Sequence, residues 1–236
     1  MPRAVSAALG TVLDPELDES IVELGFVTEA SVVDGAASIR LRLPTYFCAP
    51  NFAYLMVADA YDAVTSVPGV RSASVVLEDH FAATEINAGV AAGAGFVDSF
   101  PGEAAAELSQ LRENFQRKAH TACLERACQR LLADGWTVDT LPGAHLRDLP
   151  VGDERSSLLR RRADLGLPLD EDATLLVDDG GEPVPSDQVA PRLRFARTVR
   201  VSIDGNAHFC RGLLTTRYPH AAADQQHRLR GSEGTA

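Results

Sequence analysis

Cys48 is the residue in this chain whose position is best suited to chemistry. It ends the stretch LRLPTYFC at positions 41–48, where an alternating strand pattern runs into a short loop, and a helix pattern begins at Pro50. A thiol beside a helix start lies near unpaired N–H groups and the positive end of the helix dipole, which stabilise a thiolate. A thiolate is a nucleophile and a soft metal ligand. The position is equally compatible with a small buried hydrophobic side chain, which is what most free cysteines are.

The patterns around Cys48 predict a small two-layer domain that would position it. Apolar spacing predicts a first helix, a main helix starting at Pro50 and three strands, and Asp34-Gly35 favours a type I′ hairpin turn between the first two strands. The expected ranges are a helix over 3–12, strands over 26–33, 36–43 and 70–77, and the main helix over 50–67. The predicted order is therefore α-β-β-α-β, with Cys48 at the sheet edge.

The remainder of the chain predicts a second α+β region built on a long helix. Residues 88–102 are rich in Ala and Gly and predict a linker, whereas 103–134 lacks Pro and Gly and predicts one helix ending at Gly135. Shorter elements follow: strands near 136–141 and 173–178, helices near 154–165 and 186–195, and a hairpin of Thr198–Ile203 with His208–Thr215. The predicted fold class is α+β, with domains 1–87 and 103–218 and a disordered tail over 219–236.

Several short motifs occur in order along the first 87 residues. They are Asp14-Pro15-Glu16, the run IVELGFV at 21–27, the loop that holds Thr45 and Cys48, and VPGV at 67–70. Together they resemble the iron–sulfur cluster assembly domain of SufT-type maturation factors and of the PaaD-type accessory protein of phenylacetate degradation. The resemblance implies that Cys48 binds iron or an iron–sulfur cluster transiently. Phe47 replaces the family's glycine and Ala49 its proline, which implies a subfamily with a changed ligand set or partner.

The resemblance also implies that Asp14 and Glu16 lie close to the Cys48 loop. Asp14 and Glu16 could supply oxygen ligands, although a turn cap is the interpretation that we favour for Asp14. Thr45 could hydrogen-bond the Cys48 thiolate. His80 is the candidate second metal ligand, because imidazole binds iron and zinc and the neighbouring Asp79 could fix its tautomer.

The other cysteines carry a weaker signal. His120 and Cys123 would share one helix face, but Cys128 turns away from them and no second Cys/His pair has matching spacing, so core packing is favoured. Cys210 and His208 would share one face of a predicted strand, and a structural role is again favoured. The scattered positions of the four cysteines favour reduced thiols over a disulfide framework.

Charge and hydropathy limit the classes of partner. The chain carries a net charge of −11, and residues 1–110 hold 4 Lys+Arg against 15 Asp+Glu. Nucleic-acid binding needs a basic face and is not expected, whereas an acidic domain suits cation attraction, a basic partner surface or simple solubility. No apolar run reaches the roughly 18–20 residues of a membrane helix, and no signal-peptide pattern occurs. A cytoplasmic protein without membrane association is therefore expected.

The sequence lacks the phosphate-loop, nucleophile-elbow, dinucleotide and zinc-protease motifs of common enzymes. We therefore predict an accessory protein and not an enzyme, which holds iron or a cluster on Cys48 and assists a client metalloenzyme. The C-terminal extension and the sequence Asp79-His80-Phe81 resemble accessory proteins of bacterial di-iron monooxygenases, which implies such a client. The C-terminal half would recognise the client or hold a homodimer together. A metal-free assembly chaperone or interaction module is the alternative, and a cysteine-dependent enzyme is disfavoured because no histidine is placed as its base.

Overall fold

The computed structural model of the protein describes residues 2–102 and 108–219. The chain divides into two compact units, one formed by Met1–Leu108 and Asn206–Ala236 and the other by Ser109–Gly205. The tail predicted as disordered lies outside the described residues from position 220 onward. Across the described residues, no helix is both long enough and apolar enough to cross a membrane.

A three-stranded mixed sheet forms the centre of the first unit. Its strands β1 (Val27–Val33), β2 (Ala36–Arg42) and β3 (Ser72–Glu78) lie in the order β1-β2-β3. β1 and β2 are antiparallel and meet at Asp34 and Gly35, whose φ angles of 48° and 77° are the positive values that a type I′ turn requires. β2 and β3 are parallel, so the chain needs the crossover that helix α2 supplies.

Two helices confirm the predicted α-β-β-α-β order. Helix α1 (Pro2–Leu9) precedes the sheet, and helix α2 (Pro50–Thr65) connects β2 to β3. Side chains of β2 alternate between the buried Ile39 and Leu41 and the more exposed arginines between and after them, as a sheet with one solvated face requires. α2 buries its side chains at helical spacing in the same core as the sheet: Ala53, Val57, Ala60 and Val64.

The segment predicted as a linker packs onto this first unit. Helix α3 (Ala83–Ala91) and the short helix α4 (Phe96–Ser99) occupy most of it, and Ile86, Val90 and Phe100 are buried in the core. Asn87 anchors α3 to β3, because its side chain accepts a hydrogen bond from Leu77 N–H at 2.8 Å and donates one to Leu77 O at 3.0 Å. Alanine favours helix formation, and Ile86 and Val90, four residues apart, give α3 an apolar face that packs into the core.

The second unit is helical. Its first helix, α5 (Ser109–Ala133), ends before Gly135, whose φ is 99°, and helix α6 is Asp153–Asp164. Both helices confirm predicted elements. Cys123 and Cys128 are buried on α5 with Leu124 and Leu131, which confirms that these two thiols pack in a core.

Three predicted β elements of the second half are wrong. Residues 136–141 form turns that lead into the 3₁₀ turn Leu141–Gly143, and residues 173–178 contribute only isolated bridges. The predicted hairpin is a single helix, α7 (Val189–Arg217). Asp204-Gly205-Asn206 is a strong local turn signal, but Val189, Ala196, Ile203 and Ala207 are buried at spacings of seven and four residues. Burial along one helix face therefore overrides the turn preference.

The last turns of α7, from Asn206 onward, group with the first unit. Ala207 is part of its core, and Cys210 and Leu214 pack against that core. Arg217 donates hydrogen bonds to Leu43 O at 3.4 Å and to Asp79 O at 2.9 Å. Residues that the sequence analysis assigned to the C-terminal region thus cover part of the N-terminal fold.

Candidate functional site

Cys48 lies in the loop that connects β2 to α2, directly before the helix start. The loop leaves the core after the buried Leu43, and α2 begins when the N–H groups of Phe52 and Ala53 bond to Ala49 O at 3.0 and 3.1 Å. The Cys48 thiol is free and partly exposed. A thiol at this place can reach solvent and a partner, which the buried Cys123 and Cys128 cannot do.

Thr45 contacts the thiol directly. Its Oγ1 lies 3.3 Å from Cys48 Sγ and accepts a hydrogen bond from Phe47 N–H at 3.2 Å. Since the backbone amide uses a lone pair of this oxygen, the hydroxyl proton of Thr45 is free to point at Cys48 Sγ. Thr45 can therefore donate a hydrogen bond to a Cys48 thiolate and stabilise the charge that metal binding needs.

His80 holds the Cys48 loop from the end of β3. Its Nδ1 accepts a hydrogen bond from Ala82 N–H at 3.2 Å, so Nε2 carries the proton and donates to Cys48 O at 2.7 Å. Burial lowers the pKa of His80, the hydrogen bond to Cys48 O opposes that effect, and the positive charge of Arg217 lowers the pKa further. Both ring nitrogens are engaged by backbone groups, so in this conformation His80 positions the loop and has no free lone pair for a metal ion.

Three exposed aromatic side chains cluster at the Cys48 loop: Tyr46 and Phe47 belong to the loop, and Phe81 packs against both. Phe47 is 76% exposed, and its ring centroid lies 5.0 Å from that of Tyr46 and 6.0 Å from that of Phe81. We call Tyr46, Phe47 and Phe81 the aromatic surface. Clustered exposed aromatic residues are typical of a surface that binds another protein.

A cavity of about 480 Å³ opens beside the aromatic surface. Phe81 is shared between the two, and Phe96 and Phe100 supply further aromatic lining. Pro50 and Glu85 also line it, so the cavity adjoins the start of α2 and presents a carboxylate. An apolar side chain next to a basic group would complement this lining.

Asp14 and Glu16 lie in a turn before β1. Asp14 Oδ1 accepts hydrogen bonds from Glu16 N–H and Leu17 N–H, both at 2.9 Å, which confirms the capping interpretation. Burial raises the pKa of Asp14 to about 6, although its two backbone hydrogen bonds act in the opposite direction. Glu16 Oε1 accepts a hydrogen bond from Asn206 Nδ2 at 3.3 Å, so this turn contacts α7.

Cys210, for which the sequence analysis favoured a structural role, belongs to the same unit as Cys48. Burial raises its pKa to about 11, and the neighbouring Asp14, Cys48 and Glu16 raise it further in that order. Cys210 packs against the core of the first unit, and Asn206, one turn earlier on α7, contacts Glu16 in the turn before β1. The spacing of four in Asn206, Cys210 and Leu214 was a helical signal, but the turn motif at 204–206 led to a strand prediction.

His120, which the sequence places on one helix face with Cys123, is the other candidate metal ligand, and it lies in a buried environment. His120 is fully buried, neither ring nitrogen has a hydrogen-bond partner among the described residues, and burial lowers its pKa to about 4. Within residues 2–102 and 108–219, no group of three or more His, Cys, Asp and Glu side chains is arranged to hold a metal ion. The described residues thus offer fewer protein ligands than a closed metal site has.

Comparison with known proteins identifies the family. A family model described as iron–sulfur cluster assembly protein matches residues 2–75. An uncharacterized protein of Methanocaldococcus jannaschii is 35% identical over 81 residues, which are 34% of this chain and 83% of that protein. The chain belongs to the iron–sulfur cluster assembly protein family. The matched segment contains α1, the hairpin, the Cys48 loop and α2, so it covers Cys48 and Thr45 but not His80, Phe81 or α3 to α7.

A second relative carries a functional name. The iron–sulfur cluster carrier protein of Synechocystis sp. is 36% identical over 72 residues, which are 30% of this chain and 20% of that protein. This chain thus spans about a fifth of the carrier protein's length. No solved structure matches the chain.

Proposed function

We propose that this protein holds iron or an iron–sulfur cluster transiently on Cys48 and delivers it to a client metalloenzyme. The observation that carries the proposal is the partly exposed Cys48 thiol, 3.3 Å from the Thr45 hydroxyl, in the loop of an iron–sulfur cluster assembly domain. A thiolate is a soft ligand that suits iron and iron–sulfur clusters. With few protein ligands, the cargo keeps open coordination positions through which it can be transferred. The iron is cargo, so the protein itself performs no turnover reaction.

Three features support a protein client. The aromatic surface of Tyr46, Phe47 and Phe81 includes two residues of the Cys48 loop, so a partner docked on it would lie beside the cargo. Residues 1–110 carry 4 Lys+Arg and 15 Asp+Glu, and such an acidic surface attracts a basic partner and Fe(II). The resemblance of the C-terminal extension and of Asp79-His80-Phe81 to accessory proteins of bacterial di-iron monooxygenases makes such an enzyme the client that we propose.

Co-expression tests this function directly. A di-iron hydroxylase is produced with the wild-type protein, with Cys48→Ser, with Cys123→Ala as the matched control, and alone. We expect the wild type and Cys123→Ala to raise the iron content per hydroxylase and Cys48→Ser to leave it at the value obtained without the accessory protein. Equal iron content with Cys48→Ser and wild type would contradict delivery through Cys48.

A metal-free assembly chaperone is the second candidate function. It is favoured by the exposed aromatic surface, two of whose three residues belong to the Cys48 loop. The same co-expression separates the two functions, because a chaperone would raise the yield of soluble hydroxylase with Cys48→Ser as much as with wild type. A carrier would fail with Cys48→Ser and succeed with Cys123→Ala.

A further inference from the structure

The end of α7 presents one face to the N-terminal core of the first unit. Asn206, Cys210 and Leu214 are four residues apart, and such residues share one side of a helix. Asn206 Nδ2 donates to Glu16 Oε1 at 3.3 Å, and a Cβ at Gly25 would lie 3.4 Å from Leu214 Cδ2. Cys210 lies between these two contacts, so its side chain faces the same core.

Further contacts fix α7 on the C-terminal side of Cys210. Arg211 bonds to Glu19, and one and a half turns later Arg217 donates to Leu43 O at 3.4 Å, two residues before Thr45. Tyr218 donates its hydroxyl to Asp79 at 2.5 Å, directly before the His80 that bonds to Cys48 O. This part of α7 thus extends from the turn before β1, which holds Glu19, to the ends of β2 and β3, which support the Cys48 loop.

Cys48 and Cys210 pack against the same hydrophobic core, and both thiols are free and partly exposed. The contacts of Asn206 with Glu16 and of Arg217 with Leu43 O place Cys210, along α7, between the turn before β1 and the strand end that leads into the Cys48 loop. Two adjacent thiols in a reduced protein bind a soft metal ion far better than one, because each thiolate replaces a water ligand and the second need not be recruited from solution.

We propose that Cys48 and Cys210 form a two-thiolate site for thiophilic metal cargo, so that the C-terminal helix completes the site of the N-terminal domain. A divalent ion binds to both sulfur atoms and displaces two protons, and its other coordination positions stay open to exchangeable ligands. The proposal rests on the proposed function, since it names the second ligand of the same cargo. It also gives the C-terminal extension a chemical role.

A trivalent arsenical tests the pairing without any metal. Phenylarsine oxide reacts with two neighbouring thiols to form two As–S bonds and one water molecule, and the bridged adduct survives gel filtration, unlike an adduct with one thiol. The reduced full-length protein should retain one arsenical per chain. Cys48→Ser, Cys210→Ser and Cys210→Ala should retain none, and Cys123→Ala should behave as wild type. Failure of the wild type to retain the arsenical would overturn the pairing.

Co(II) binding under anaerobic conditions tests the metal site. The near-ultraviolet absorption of sulfur-bound Co(II) should fall to about half in Cys210→Ser and in Cys48→Ser alike, with at least tenfold weaker binding, because each variant keeps one thiolate. Absorption that depends on Cys48 and is unchanged in Cys210→Ser would overturn this inference and leave the proposed function standing. Arsenical capture without any Co(II) absorption would overturn the two-thiolate metal site together with the proposed function, although the thiols would be shown to be adjacent.

Discussion

The four thiols should react with an alkylating agent at widely different rates, and Cys48 should react first. Burial and nearby negative charges raise the pKa of Cys210 from an ordinary 9.0 to about 11. At pH 7 this lowers its thiolate fraction about 100-fold, and the greater nucleophilicity of a more basic thiolate restores about tenfold, so Cys210 should react about tenfold more slowly than an ordinary thiol. Its rate should keep rising as the pH increases toward 11.

Cys123 and Cys128 should be slower still. Both are almost fully inaccessible to solvent, and burial raises the pKa of Cys128 to about 12. Alkylation of these thiols requires local or global opening, which costs several kcal/mol in a folded domain and slows the reaction by roughly 10³-fold or more.

Mass spectrometry of peptides from the reduced, metal-free full-length protein measures these rates. Initial rates with a maleimide at pH 7, followed in the folded protein and in urea, give the protection of each thiol. We expect the order Cys48, then Cys210, then Cys123 and Cys128, and equal rates in urea. Labelling of Cys210 or of a buried cysteine as fast as Cys48 in the folded protein would refute the reasoning.

Three further substitutions test the surroundings of the thiol. Asp14→Asn keeps the capping acceptor and removes a carboxylate whose pKa burial raises to about 6. Because the ionised carboxylate is unfavourable in the folded protein, the free energy of unfolding in urea should rise by up to about 3 kcal/mol at pH 8 and hardly at all below pH 4. Equal effects of the substitution at both pH values would contradict this prediction. His80→Gln should lower stability by about 1 kcal/mol through loss of backbone hydrogen bonds and leave Co(II) absorption unchanged, whereas loss of that absorption at unchanged stability would identify His80 as a ligand. Phe47→Ala removes a side chain that is 76% exposed, so thermal stability should stay the same while iron delivery to the hydroxylase falls; unchanged delivery would exclude the aromatic surface as the docking site.

The N-terminal domain could be predicted because its signals are local and agree with one another. Asp34-Gly35 has positive φ angles at both positions, as the turn type demands, and the alternation in β2 matches its burial. The loop position of Cys48 followed directly from the strand before it and Pro50 after it. The contact between Thr45 and Cys48 was also foreseeable from three-residue spacing in one loop.

The remaining part of the site depends on contacts that are distant in sequence. Cys210 packs against the core of the first unit only because α7 continues through Gly205, and the local preference of residues 204–206 for a turn concealed that continuation. The engagement of both His80 nitrogens depends on the backbone of residues 48 and 82, which composition does not reveal. Tertiary packing decided these features, and a single sequence contains little direct information on it.

The central claim is that Cys48 carries the cargo, and anaerobic reconstitution with iron and sulfide tests it most directly. Visible absorption together with the iron and sulfide retained after desalting would be measured for the wild type, Cys48→Ser and Cys123→Ala. The account predicts coloured protein with bound iron for the wild type and Cys123→Ala, and colourless protein without iron for Cys48→Ser. Iron and visible absorption retained in folded Cys48→Ser at the wild-type level would contradict it.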